Sequence, residues 1–217
     1  MPELAQAAAP ELDALRVACR AAIRRVAQPD AEFLVVGAGE STRRHAPTAR
    51  GSFAGFGVDL EVNLGRDEPR GEVDLPLALT VGAWLLRDAL GPGHAAHAMS
   101  VGPEGQAATP MGRPVTLLVM GDGSARRSIK APGYLDDRAG AFDRTVAAIL
   151  AEGDPVALTG IDQPLADELL VAGAPAWRAA GAMLLDAHPG AEWDAELLYD
   201  DAPYGVGYLA AAWTLRG

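Results

Sequence analysis

Apolar residues recur every third or fourth position from Leu12 through Leu15, Cys19, Ile23 and Val26, the spacing that lays one apolar stripe along a helix. The pattern predicts a helix over about 11–27, which Pro29-Asp30 ends ahead of a strand from Glu32 to Val36. A loop from Gly37 to His45 follows, and a glycine-punctuated stretch from Arg50 to Gly57 leads into an alternating strand, Val58 to Val62. Asp74 with Pro76 just behind it signals a helix running through Leu90. Strands are expected at Ala98 to Val101 and Val115 to Met120, the second breaking into the glycine turn Gly121-Asp122-Gly123-Ser124.

Past that turn, Asp136 or Asp137 is placed to cap a helix whose Phe142, Val146 and Ile149 share a face. Asp154-Pro155, Pro164 to Val171 and Pro175 to Ala187 read as further helical pieces. Two strands, Glu196 to Tyr199 and Val206 to Trp213, close the chain around the turn Asp200-Asp201-Ala202-Pro203. Strands alternating with helices predict a three-layer α/β/α domain around a mainly buried sheet. The 217 residues suit a single domain, and no internal repeat or low-complexity linker divides them.

Charge narrows the partners. Acidic residues outnumber basic ones 29 to 18, a net −11 that repels phosphate backbones and anionic lipid, so neither nucleic acid nor a membrane is expected. No run approaches the roughly 18 apolar residues of a membrane span, and no basic-then-apolar leader opens the chain. A cytoplasmic protein is the expectation. Cys19, the single cysteine, falls in the helical stripe and reads as a packing residue.

Several clusters invite chemistry. Gly37-Ala38-Gly39 follows a strand, but Thr42 stands where a dinucleotide fingerprint needs its third glycine. His94 and His97 are spaced to share a helical face, yet Gly91-Pro92-Gly93 argues for a loop or edge strand. His188 reads as a helix-end residue, and Asp200-Asp201 as a turn pair rather than a cation site. Arg43, Arg44, His45 and Arg50 follow one strand end, while Arg126, Arg127 and Lys130 follow another, where open α/β sheets place ligands. Two readings stand side by side: an anion-binding cleft oriented by Glu40, Asp122 and Ser124, or a solvated rim whose arginines pair with aspartates.

The strand-turn segments Val35 to Glu40 and Gly121 to Arg126, the run Arg138-Ala139-Gly140-Ala141-Phe142-Asp143, the helix near Ala176 to Leu185 and the end Tyr199 to Tyr208 together resemble the catalytic-subunit family of class III extradiol ring-cleavage dioxygenases, in a branch found in high-GC bacteria. The resemblance spans nearly the whole chain and implies a phosphorylase/hydrolase-like fold with a mixed, mostly parallel sheet. It also implies a single Fe(II) held by two histidines and a carboxylate, with a further histidine as acid and base. Met1-Pro2-Glu3-Leu4 aligns just downstream of the family's first strand and its ligand histidine. The second ligand position falls on Glu40, the carboxylate position on Ala176, and the catalytic-histidine loop on Ser124-Ala125.

Alanine neither ligates nor transfers a proton. The resemblance with these replacements therefore implies a non-catalytic relative that needs no cofactor and binds a small anionic or aromatic ligand, itself, or a small partner subunit. An active ring-cleavage dioxygenase, or another metal-dependent oxidoreductase, is the alternative. It requires either a ligand encoded ahead of Met1 or a site rebuilt from Glu40, His45 and Asp122.

Overall fold

The computed structural model describes residues 11–28, 31–65, 73–92, 94, 96–105 and 115–217. Their elements run α1 (Asp13–Val26), β1 (Glu32–Ala38), β2 (Arg43–His45), β3 (Arg50–Ser52), a 3-10 turn (Ala54–Phe56), β4 (Glu61–Asn63), α2 (Leu77–Leu90), β5 (Ala96–Val101) and β6 (Val115–Met120). They continue with α3 (Ala139–Glu152), α4 (Pro155–Thr159), α5 (Gln163–Glu168), α6 (Ala174–Ala187), β7 (Trp193–Asp201) and β8 (Tyr208–Leu215).

β1 carries the run Phe33-Leu34-Val35-Val36, buried without interruption. A strand with an apolar residue at every position must be covered on both faces. Here Phe33 and Val35 pack with Leu79, Ala83 and Leu86 of α2, together with Ile23 of α1. Leu34 and Val36 turn the other way, toward Ala176, Ala179 and Met183 of α6. Each such side chain contributes on the order of 1.5–3 kcal/mol by leaving water. The result is a mixed α/β architecture with a central sheet ordered β2-β5-β1-β6. β1 runs parallel to β5 and β6, and the short β2 lies antiparallel along β5.

Most expected elements are present within a few residues of their expected bounds. The segment from Gly37 to Gly57 differs, because it holds two three-residue strands, β2 and β3, where a loop and a glycine stretch were expected. Three residues are too few for periodicity to register. The strand expected at Val58 to Val62 begins later, as β4, and pairs with β3 in a separate ribbon. Asp74 does not cap α2: Pro76 occupies the cap position, and the Asp74 carboxylate instead accepts from Arg43 at 3.3 Å. The first closing strand is longer than predicted and takes in Asp200 and Asp201 of the expected turn, the second is shifted by two residues, and the two form their own antiparallel ribbon, β7-β8, outside the central sheet.

Side chains bind these pieces together. Arg20 of α1 donates through Nε and Nη2 to Asp88 of α2, at 2.6 and 3.0 Å, a bidentate clamp between helices. Trp213 of β8 donates from Nε1 to the Leu150 carbonyl of α3 at 2.7 Å. At the end of β6, Gly121 lies against Gly173 ahead of α6, so closely that a Cβ there would stand 2.3 Å from the Gly173 Cα. Gly121→Ala is therefore expected to destabilise the fold by about 2–3 kcal/mol. Gly55→Ala, whose added methyl meets nothing within 4 Å, is expected to stay within about 0.5 kcal/mol, with both variants compared by urea denaturation.

Candidate functional site

Parallel strands deliver their C-terminal ends to one rim of the sheet, where α/β proteins gather ligand-binding loops. At that rim, Gly37 of β1 lies opposite Met120 of β6, so Glu40 and Asp122 leave neighbouring strands from the same end. Glu40 is exposed. The Gly39 amide donates to the Val101 carbonyl at 2.9 Å, and the Gly173 amide donates to the Asp122 carbonyl at 2.9 Å, fixing both loop starts to their neighbours. Thr42 Oγ1 donates to Glu104 Oε1 at 2.8 Å and accepts from the Gly102 amide at 3.0 Å, tying the β1 loop to the β5 loop.

The loop after β6 is organised by a carboxylate from α3. Asp143 Oδ1 accepts the Ser124 backbone amide at 2.8 Å. Its Oδ2 accepts the Ser124 hydroxyl at 2.7 Å and Arg127 Nη1 at 2.9 Å. Asp143 and Ser124 are both fully enclosed. A buried carboxylate is tolerated only with such partners. The β7-β8 turn joins the same knot: the Gly123 amide donates to the Gly207 carbonyl at 2.7 Å, and the Gly207 amide returns a bond to the Ser124 carbonyl at 2.8 Å. A Cβ on Gly207 would come within 2.5 Å of Asp143 Oδ2, so only glycine admits this approach.

Ala125, at the position that resemblance assigns to a proton-transferring histidine, has its amide bonded to the Leu169 carbonyl and its own carbonyl accepting from Gly133. Ala176 is wholly buried and packs in the apolar cluster around Val36 and Met183. Neither residue carries a donor atom in its side chain, so these positions do not fit a ferrous centre of the family type. Among the described residues, no three His, Cys, Asp or Glu side chains gather as a metal-binding group.

The basic residues divide. Arg43, Arg44 and His45 lie on β2 at one border of the sheet, whereas Arg126, Arg127 and Lys130 follow β6 at the other. Three strand spacings, about 14 Å, separate the borders. Arg43 pairs with Asp74, Arg50 with Glu61 at 2.8 Å, and Arg127 with Asp143. The structure thus does not bring the two groups together, and these three arginines already have carboxylate partners. Arg44 is exposed, and Arg126 Nε is buried with no hydrogen-bond partner among the described residues.

The chain matches no protein-family model and no curated protein.

Two polar groupings at or near the rim were not legible in the sequence. The first surrounds Asp122. Burial raises its carboxyl above the usual range, although the residue keeps exposed surface through which solvent screens the effect. Tyr208, at the start of β8, has its phenol raised by burial and by the nearby Asp122 charge. Tyr208 is about 90 residues from Asp122 in the chain, and no local motif marks the pair. The second is His45, buried beside Ser100 with Nε2 to Oγ at 3.1 Å. Ser100 Oγ donates to the Ser41 carbonyl at 2.8 Å, so His45 Nε2 carries the hydrogen and donates to Oγ. Nδ1 then faces Asp74 Oδ2 at 3.7 Å.

The remaining candidates resolve simply. His97 is exposed on β5, with Nε2 3.3 Å from Glu32 Oε2, and His94 lies in the preceding loop. His188 ends α6 and meets Trp193 edge-on at 5.7 Å. Asp200 and Asp201 are not a turn pair: both end β7, opposite Leu209 and Tyr208, and the turn begins after them, with Asp201 Oδ1 accepting from the Ala202 amide at 2.7 Å. Cys19 packs against the core, and burial raises its thiol to about 11, far from a reactive thiolate.

Two expectations follow from this geometry. Asp143→Ala strands the Ser124 amide and hydroxyl and Arg127, and is expected to remove about 3–5 kcal/mol of stability with faster hydrogen exchange across Gly123 to Arg127. For His45, burial and the Arg43 charge lower the pKa below 6.5, outweighing Asp74. The unfolded chain therefore takes up the proton first as pH falls, so stability is complete above about 6.5 and declines below it. Melting temperatures measured from pH 7.5 to 5 are expected to drop in the parent and to drop less in His45→Gln.

Proposed function

We propose that the chain is an extradiol-dioxygenase-like protein, three-layered about its sheet, that uses the rim at the strand ends for binding rather than for ring cleavage. The observation that carries this reading is the Asp143 network. The loop that resemblance assigns to acid-base catalysis spends Ser124 and Arg127 on an internal carboxylate, and the adjoining position is an alanine with its backbone tied. A loop committed in this way orients surfaces; it does not exchange protons with a substrate.

The ligand this reading implies is small and anionic or aromatic, since Arg44 stands near the rim as a cation and Tyr208 supplies a ring near Asp122, while Glu40 and Asp122 serve as orienting acceptors. A cytoplasmic location, and association with itself or with a small partner chain, belong to the same reading. Purified protein reconstituted anaerobically with Fe(II) is expected to release no ring-opened product from catechol or protocatechuate. Stoichiometric iron together with turnover would refute the proposal.

The placement of Glu40 and Asp122 at the same end of adjacent strands favours one second reading, a rebuilt metal site. His45 lies across β5 from that pair and is engaged with Ser100, so two carboxylates would have to suffice. On that reading Glu40→Ala abolishes uptake of Fe(II) or Mn(II); on ours, metal content measured by elemental analysis is the same in parent and variant.

A further inference from the structure

Two arginines from separate elements converge on one spot beside α3. A Cβ added to Gly140, in the first turn of that helix, would stand 3.4 Å from Arg144 Nη1 and 3.8 Å from Arg127 Nε. Arg144 reaches back from the second turn of α3, and Arg127 comes from the loop between β6 and α3. Among the described residues, no carboxylate oxygen lies within 4 Å of that spot. Gly140 is partly exposed, so the spot is open to solvent.

Like charges repel, and two guanidiniums brought to one spot call for an anion between them. The fold supplies only part of that compensation. Asp143 Oδ2 accepts Arg127 Nη1 at 2.9 Å, which leaves Arg127 Nε beside the spot over Gly140. Arg144 is exposed and meets no carboxylate among the described residues, whereas Arg20, Arg25, Arg50, Arg138 and Arg216 each have one. The first turn of α3 carries no acidic side chain. Ahead of it, Asp136 is taken by Arg138, and the Asp137 carboxylate stays more than 4 Å from the spot. In a chain of net charge −11, a spot where cations meet without acids between them selects a ligand of opposite sign.

We propose that Arg127 and Arg144 hold a small phosphate group, free or as a monoester, seated over Gly140. A carboxylate matches the paired donors of one guanidinium fork, and Arg127 has already given Nη1 to Asp143. What remains at the spot is Nε of one arginine and Nη1 of the other, donors from two sides that suit the spread oxygens of a tetrahedral oxyanion. Glycine at 140 leaves the anion room that any side chain would take. The acidic exterior disfavours nucleic acid and anionic bilayers, whose diester phosphates form dense negative arrays. The site uses neither Glu40 nor Asp122, so it stands or falls independently of the rim.

The probe is inorganic phosphate, titrated at pH about 7.5 and constant ionic strength into the 217-residue protein and followed by the Nε–H resonances of its arginines. Those of Arg127 and Arg144 are expected to shift saturably. Gly140→Ala puts a methyl on the spot at ordinary contact distances, so the fold is kept while phosphate binding weakens by about tenfold or more. Arg144→Gln is expected to weaken it as much, and Arg87→Gln, which removes an exposed arginine of α2, to leave it unchanged. Dimethyl phosphate, a diester like those of nucleic acids and lipids, and acetate are both expected to bind more weakly than phosphate by about tenfold or more. No saturable shift in the parent overturns the proposal, as does parent-like binding in Gly140→Ala or Arg144→Gln, or an equal loss in Arg87→Gln. Binding of dimethyl phosphate or acetate as tight as phosphate overturns it too, the first pointing to phosphodiesters and the second to carboxylates. Should one variant fail to fold by circular dichroism, the other, set against Arg87→Gln, decides the outcome.

Discussion

The carboxylate of Asp143 is the point on which the upper half of the molecule converges. It rises from α3, yet its partners belong to the loop after β6, and through Gly207 it reaches the β7-β8 turn. A charge in such an enclosure survives only because a backbone amide, a hydroxyl and a guanidinium converge on it. Removing any of them leaves the others unsatisfied, so the loop, the helix and the ribbon share one conformation. Close glycine contacts at 121 and 207 are the steric counterpart of this requirement, since side chains there would force the partners apart.

That constraint bears on how the rim should be understood. The loop after β6 takes its rigidity from the hydrogen bonds that engage the Ser124 hydroxyl and the Arg127 guanidinium. Freedom remains at the outer positions: Glu40 exposed beyond β1, Asp122 exposed near Tyr208, and Arg44 on the border strand. These residues arise from three separate segments, which the parallel sheet brings to one end.

Much of the architecture was legible from periodicity. The stripe from Leu15 to Val26, the unbroken apolar run of β1 and the proline-led helices α4 to α6 each carry enough residues for a pattern to emerge. Asp154 accepts from amides of the following turn and marks the start of α4 as capping rules anticipate, whereas neither Asp136 nor Asp137 caps α3, whose cap position is Arg138 with Asp136 bonded to that arginine instead. The strands of three residues were hidden, because pairing rather than propensity creates them. The site was less legible still. Asp143 could be noticed as part of a Phe-Asp pair, but its bond to Ser124, 19 positions earlier, depends on the packing of α3. Asp74 read as a helix signal and proved to be a partner of Arg43, and the basic loops separated because strand order, not sequence order, sets their distance.

The borders of the central sheet are unequal, and this shapes how copies of the chain can meet. β2 is a three-residue strand whose Arg43 and Arg44 point into solvent and whose His45 is locked to Ser100, features that blunt a strand against further pairing. Among the described residues β6 lacks such protection, although the loop beyond its end is bonded to the turn ahead of β8 through Gly123 and Gly207. A sheet with only one receptive border cannot be stacked edge to edge without limit, because pairing at that border uses it up. Such geometry favours finite, discrete complexes over fibrous growth, and it does so without spending any of the molecule's −11 charge on mutual repulsion.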